Sequence, residues 1–347
     1  MKEILPVIMD DTFTRLAVID DYISFIWTSR YYTAGDFELV LPADPRYMDI
    51  IRQDYYVVRD DDENVGIIET IRIERDEDLR QILIVSGRFL VSILGRRIIA
   101  TQTSLDGKIS DCVAQLLNDN VISPVIADRE IQDFVLGSMG VTGTMQAQYT
   151  GKNLLDTISD ICVNYGLGMK VTLDSVNRFV FDLYKGEDRT YYQSVNPWVV
   201  FSDKYDNLLS SVYEENYRTM VDAVLVAGEG EGVDRRTLWV SRGMSGLERH
   251  EAYKDQRQIR SNGGEISDSD YEDMLQEAGE EALTEYTTAF TGTVYFDNIK
   301  YKTDVNLGDL CVIENSVWGI YINARLVEVI ESVSETGEHT ILPTFGI

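Results

Sequence analysis

Residues 19–42 (IDDYISFIWTSRYYTAGDFELVLP) constrain the fold more than any other stretch of the chain. Tyr22, Ile23, Phe25, Ile26 and Trp27 are β-branched or aromatic, the side chains that suit a pleated strand. Thr33, Ala34, Gly35 and Asp36 supply turn chemistry. Phe37, Leu39 and Leu41 then alternate with Asp36, Glu38 and Val40, the period-two signature of a half-buried strand. The pattern predicts a β-hairpin. Trp27, Tyr31 and Tyr32 lie near its turn, where large groups pin register by cross-strand contact. They are also candidate anchors for a subunit interface.

Residues 1–100 read as mostly strand. Besides the hairpin, strands are expected at 3–9, 14–19, 55–59, 66–74 and 81–86, and a short helix at 45–52. Acidic turns separate them, among them Asp10-Asp11, Asp60-Asp61-Asp62-Glu63-Asn64 and Asp76-Glu77-Asp78. Short strands at this spacing suggest a barrel or sandwich. From 101 to 202 the pattern changes. Ile109, Cys112, Val113, Leu116 and Leu117 recur at helical spacing. Leu154, Leu155, Ile158, Ile161, Cys162 and Tyr165 do so again, stopped by Gly166 and Gly168. Strands at 169–173 and 178–184 complete an α/β module, taken as an insertion after the first barrel. From 203 onward strands return at 208–217, 223–227, 237–241, 293–296, 309–313, 324–330 and about 338–342. One helix is expected at 270–290, within a helical insertion at about 262–290. Ser269 and Glu272 fit a capping box, and Tyr271, Met274, Leu275, Ala278, Ala282, Leu283 and Tyr286 form the apolar stripe. Gly279 is expected to weaken it.

The order acidic-aromatic-x-Ser-Phe-Ile-Trp-Thr-x-Arg-Tyr, followed by Gly-Asp-Phe-Glu-Leu-x-Leu-Pro, resembles the N-terminal signature of the siphophage tail-hub family. That family is similar to the baseplate hub of contractile-tailed phages and phage-tail-like bacteriocins. Residues 87–97 (GRFLVSILGRR) resemble the segment that closes its first barrel. The run Val305-Asn306-Leu307-Gly308-Asp309-Leu310, then Arg325-Leu326-Val327-Glu328-Val329, resembles its last strands. The resemblance implies an α+β, mainly β fold: two small tube-like barrels at 1–100 and 203–347, flanking the α/β domain at 101–202. It implies a structural hub of a tail tip or baseplate, a homotrimer in a virion or tail-like particle. The expected partners are a tail-tube or distal tail protein, a spike or tip protein, and a tape-measure protein in the bore. The family often carries C-terminal lytic or fibre modules. With the chain ending at Ile347, those functions are not implied.

Charge and side-chain chemistry bear on function apart from that resemblance. The net charge is −28, which repels phosphate backbones and argues against stable nucleic-acid binding. Three copies would carry −84, so an acid-lined bore is expected. Cys112, Cys162 and Cys311 are odd in number and far apart. They read as small buried hydrophobes in a chain folded in a reducing cytoplasm. No secretory signal or membrane span is legible. His250 and His339 are the only histidines and lack ligand-spaced neighbours, so neither a metal nor a cofactor is expected. Gly228-Glu229-Gly230-Glu231-Gly232 reads as a hairpin tip, since Glu229 and Glu231 would repel a phosphate. The acidic run Asp60–Glu63 lacks the spaced ligands of a calcium loop and reads as a solvated turn. Arg235, Arg236, Arg242 and Arg249 form the one locally basic stretch; Arg235 and Arg236 are further interface candidates. No catalytic constellation appears, so the chain is expected not to be an enzyme. The alternatives are a tail-associated cell-wall hydrolase or a carbohydrate-binding tip protein using Trp27, Trp198, Trp239 or Trp318.

Overall fold

The short apolar runs and acidic turns of the first zone produce eight strands and one helix. These are β1 (Val7–Met9), β2 (Arg15–Val18), β3 (Ser24–Arg30), β4 (Asp36–Pro42), α1 (Pro45–Ile50), β5 (Tyr56–Val58), β6 (Val65–Ile67), β7 (Thr70–Arg75) and β8 (Gln81–Arg88). A 3-10 helix over Leu90–Arg96 leads out of them. The middle zone holds β9 (Thr103–Lys108), α2 (Ile109–Leu117), β10 (Phe134–Leu136), β11 (Thr144–Tyr149), α3 (Leu154–Tyr165), β12 (Gly168–Leu173) and β13 (Phe179–Tyr184). The last zone holds β14 (Val200–Ser202), β15 (Leu208–Asn216), β16 (Ala223–Ala227), β17 (Thr237–Ser241), β18 (Glu251–Asp255), α4 (Asp268–Glu280), β19 (Thr287–Val294), β20 (Leu310–Asn315), β21 (Ile320–Ser334) and β22 (His339–Gly346). This computed structural model describes residues 4–75, 81–284, 287–294 and 299–346. Strand accounts for 40% and helix for 21%, so the chain is mainly β.

One sheet organises the rest. Its main path runs β15-β19-β22-β21-β3-β4-β8-β7, and β20 and β14 branch from β21. Every neighbouring pair on the main path is antiparallel. The β3–β21 pairing joins the two ends of the sequence, from Glu328 opposite Arg30 to Ser334 opposite Ser24. Alternation sends Phe25, Trp27, Phe37, Leu39, Leu83 and Val85 to one face, where Ile8, Ile19, Val57 and Ile68 from the β2-β1-β5-β6 region cover them. On the other half, Val329 and Phe345 pack under Val199, Phe201, Cys311 and Ile313 of the branch. Each half of the sheet thus has its own two-layer core. The pairings among described residues form open sheets, and none closes on itself.

The middle zone is built around a separate apolar cluster, including Leu116, Leu154, Ile158, Cys162 and Phe181. Asn153 caps α3 by accepting from the N–H groups of Leu155 and Asp156, and Gly166 ends it at φ 64°. A three-stranded sheet, β17-β16-β18, packs α4 against Val224, Val226 and Val240.

Several expectations need correction. The helix expected at 270–290 ends at Glu280, and 287–294 is strand β19, paired with β15 and β22. Its cap is Ser267, whose hydroxyl accepts from the Asp270 N–H, not Ser269. Gly279 is buried there because a Cβ would lie 2.3 Å from Val240 Cγ2; close packing, rather than tolerance, explains it. The strand expected at 66–74 is broken into β6 and β7, which lie in different sheets. Strands β9, β10, β11, β14 and β18 were not foreseen. Glu3, the Asp76-Glu77-Asp78 turn, Tyr286 and the last two residues of the strand expected at 293–296 lie outside the described residues.

Candidate interaction surface

Trp27 lies at the centre of the sheet because β3 alternates and its odd positions face inward. It is 0% exposed and packs against Phe25, Phe37 and Phe89, with ring centroids 5.6, 6.1 and 4.5 Å away. A side chain with no exposed surface offers nothing to a neighbouring subunit in this conformation. Its expected role as an interface anchor does not fit this position.

Tyr31 is likewise 0% exposed. Its ring lies against two glycines: a Cβ on Gly168 or on Gly308 would each sit 2.2 Å from it. Gly308 also holds φ +93°, which L side chains rarely adopt. The Tyr31 hydroxyl accepts from the Gly186 N–H at 3.0 Å and donates to the Gly166 carbonyl at 3.2 Å. Tyr31 therefore locks the hairpin turn to the middle zone and to the loop before β20. Tyr32 stacks edge-on against it at 5.0 Å and is half-buried. Tyr31 acts inside the chain, and Tyr32 keeps part of its surface open.

Beneath the β3–β21 pairing lies an ionic network centred on the buried Arg59 and Glu331. Arg59 reaches Glu331 at 3.1 Å and Asp61 at 2.8 Å. Lys302 reaches Glu331 at 3.0 Å and also pairs with the buried Asp62. His339 Nε2 lies 3.6 Å from Glu331. Burial pushes the Glu331 carboxyl up, but the neighbouring imidazole and the charges of Arg59 and Lys302 outweigh it and hold it at about 2. Sequence reading missed this network, because nothing local marks residues 59, 302 and 331 as neighbours.

Arg235 and Arg236 sit on the β16–β17 connection, which is the hairpin tip foreseen at 228–232. Arg235 pairs with Asp255 and donates to the Ala227 and Gly228 carbonyls. Arg236 pairs with Asp268 at 3.0 Å and lies over the Tyr271 ring at 3.9 Å. Arg236 is thus partly committed to holding α4 against its sheet, and Arg235 to tying the tip to β16 and β18. The structure does not bring Trp27, Tyr31 and Tyr32 together with Arg235 and Arg236 into one surface.

Where α4 meets the middle zone, the contacts are polar. Tyr165 donates to Glu277 Oε1 at 3.2 Å, the Gln146 N–H does so at 3.3 Å, and the Tyr149 hydroxyl donates to Glu281, at the C-terminal cap of α4, at 3.5 Å. A cavity of about 490 Å³ opens there, lined by Asp273, Glu277, Glu280 and Glu281. Burial pushes the Glu277 carboxyl up despite its two donors.

The long sheet also offers open surface. Its outermost strands on the main path are β7 and β15. All six residues of β7 are exposed, including Ile71 and Ile73. On β15, Val212, Glu214 and Glu215 are exposed. The sheet face opposite the cores presents Ile26, Arg30, Asp36, Glu38, Glu328 and Ser332, all half-exposed. Arg30 is held there by Glu328 at 2.7 Å and by Asp36.

Chemically reactive groups are scarce. All three cysteines are free and buried, and burial pushes the Cys162 thiol up to about 12. Among the described residues, no group of three or more His, Cys, Asp or Glu side chains is placed to hold a metal ion. No described helix is long and apolar enough to cross a membrane.

With this geometry in hand, the chain can be set beside known proteins. A search of curated protein sequences returns no match. Among solved structures, the tail protein from Neisseria meningitidis MC58 superposes with a TM-score of 0.58 at 15% identity, covering 99% of this chain and 97% of that one. The 43 kDa tail protein of prophage MuSo2 from Shewanella oneidensis gives 0.60 at 12% identity, covering 99% and 98%. Prophage tail protein gp18 from Listeria monocytogenes EGD-e gives 0.54 at 12%, covering 99% and 94%. At such identities the likeness is one of fold, and it extends from end to end. A family model described as Siphovirus ReqiPepy6 Gp37-like protein matches residues 5–347. The chain therefore belongs to the Siphovirus ReqiPepy6 Gp37-like family of phage tail proteins.

Proposed function

We propose that the chain is the structural hub of a phage or phage-like tail tip. Three copies close into a ring that joins the tail tube or distal tail protein to the spike or tip protein. The observation that carries this reading is the eight-strand path with alternating direction and two exposed edges. Because eight is even, β15 of one copy and β7 of the next run antiparallel when rotation relates the copies. The chain already contains one such joint internally, at β3–β21. Repeating it between copies is a heterologous contact, which rings require, and it covers edges that otherwise invite uncontrolled pairing. The edges differ in charge bias: β7 brings Arg72 and Arg75, and β15 brings Glu214 and Glu215.

In this arrangement the two halves of the sheet, with their separate cores, are the two barrel-like units. The middle zone at 101–202 and the β16–α4 segment are insertions upon them. The half-exposed face lines the bore. Along β3, β4, β7, β8 and β21 that face carries Asp36, Glu38, Glu74 and Glu328 against Arg30, Arg72 and Arg88, and each of these arginines is ion-paired, so passing DNA or a tape-measure protein meets no free basic wall. The hub is a structural part and is expected not to hydrolyse peptidoglycan or polysaccharide.

Cysteine cross-linking tests the ring. Ile73→Cys on β7 and Val212→Cys on β15 are placed in the same chain, whose native thiols are buried. Oxidation of assembled tails should yield a covalent species of three chains, or its linear two- and three-chain precursors. Tails that contain the chain yet show only single chains, or a ladder running to six, would contradict the reading.

A further inference from the structure

We propose that the loop between β13 and β14, with the β20–β21 hairpin tip beside it, is a preformed docking surface for a different tail protein. That protein's contact face is apolar with a basic rim. The inference rests on the hub reading for the presence of such neighbours, but its evidence is separate.

The loop at 185–199 is stapled from within. Arg189 is buried and pairs with Asp309 at 2.6 Å and Glu187 at 2.7 Å. The Gln193 amide donates to the Thr190 and Asn196 carbonyls and accepts from the Val195 and Asn196 N–H groups. The Trp198 indole donates to the Gln193 carbonyl at 3.1 Å. A segment tied this way has a fixed shape, and what it displays is apolar: Tyr192 is 78% exposed, Val195 89% and Trp198 60%. The Tyr191 ring contacts Trp198 at 5.1 Å and Tyr321 of β21 at 6.2 Å, joining the loop to the hairpin. The hairpin tip is itself anchored, with the Ser316 N–H donating to Asp203 at 3.0 Å, and it adds Val317 and Trp318. Exposed apolar surface on a rigid frame marks a contact site. Rigid display reduces the ordering cost of binding, and Trp and Tyr are the common anchors.

Charge and bonding select the partner. In and beside these loops Asp188, Asp203, Asp206 and Glu314 outnumber Lys185 and Lys204, while Glu187 and Arg189 are paired with each other. Lys and Arg around an apolar centre complement this rim. A second copy, with net charge −28, matches it poorly. Polysaccharides also stack on aromatic rings, but they need free polar groups beside the rings. Here Gln193, Asn196, Asp188 and Asp203 are engaged in holding the loops, and the two tips carry valines.

The test places a photo-cross-linking benzoylphenylalanine at position 195 in tails assembled with the full chain. Irradiation should join it to one different tail protein through a peptide rich in Lys or Arg. The double variant Tyr192→Asp, Val195→Asp should enter tails normally and melt like the wild type. It should lower retention of that partner roughly tenfold or more. Cross-links only to another copy or to polysaccharide, none at all in tails that contain the chain, or unchanged partner retention would each overturn the inference and leave the hub reading standing. Tails without the chain would overturn both.

Discussion

At the β3–β21 joint, seven residue pairs continue one sheet across the two ends of the sequence, over an apolar core and an ionic network centred on the buried Arg59 and Glu331. At the joint between α4 and the middle zone, side chains meet through Glu277 and Glu281 beside a cavity of about 490 Å³, and the apolar clusters on its two sides are separate. The first is built as a frame and the second as an attachment. Backbone ladders and buried charge pairs tolerate no partial opening, whereas polar side-chain contacts exchange with water at little cost. The part of the chain that would form the wall of the proposed ring is therefore made differently from the parts hung upon it.

Breaking the frame should have the largest effect. Glu331→Ala leaves Arg59 and Lys302 without their shared carboxylate, and loss of one partner of a buried pair costs about 3–5 kcal/mol; urea unfolding should show the loss across the whole chain. Gly308→Ala should cost roughly 2 kcal/mol, because it combines a φ of +93° with a contact into the Tyr31 ring. Its melting temperature should fall, whereas alanine at the open Gly319 should cost only its backbone strain. Glu277→Gln should change global stability by less than about 1 kcal/mol. Its effect should appear only in amide exchange of β11 and α4.

Acid sharpens the same contrast, because the two carboxyls are shifted in opposite directions. The Glu331 carboxyl is lowered from 4.5 to about 2, so its contribution is present above about 4.5 and is lost as pH falls towards 2. The Glu277 carboxyl is raised, so its protonated form favours the docked joint. That contribution is present below 4.5 and is lost as pH rises. Amide exchange across this range should show β11 and α4 becoming better protected on acidification while β3 and β21 become worse.

Much of the frame was legible in the sequence. Alternation at residues 36–41 marked the inward set Phe37, Leu39 and Leu41, and helical spacing marked α2 and α3. Pairing was not legible. Nothing in Ser24–Arg30 or in Ile320–Ser334 says that they adjoin, because register across 298 residues is set by the assembled core. The polar strands TSLDGK, TMQAQY and EAYKD lack an alternating apolar signal and form through their partners. The apolar stripe of α4 continued on paper past Glu280, but β-branched Thr287, Thr288 and Thr291 suit a strand, and β15 and β22 supplied its neighbours. Of the candidate interface residues, Trp27 and Tyr31 proved to be interior. Residue type predicts a good anchor, and only the fold shows whether the anchor is turned inward or outward.

The central claim is that one sheet, continuous within the chain, becomes continuous between chains. A cryo-electron microscopy reconstruction of the assembled tail tip tests it most directly. The account predicts three copies in a closed ring, with β15 of each copy antiparallel to β7 of the next and twenty-four strands in the wall. Copies that meet through other faces, leaving β7 and β15 exposed, or a ring without three-fold symmetry, would contradict it.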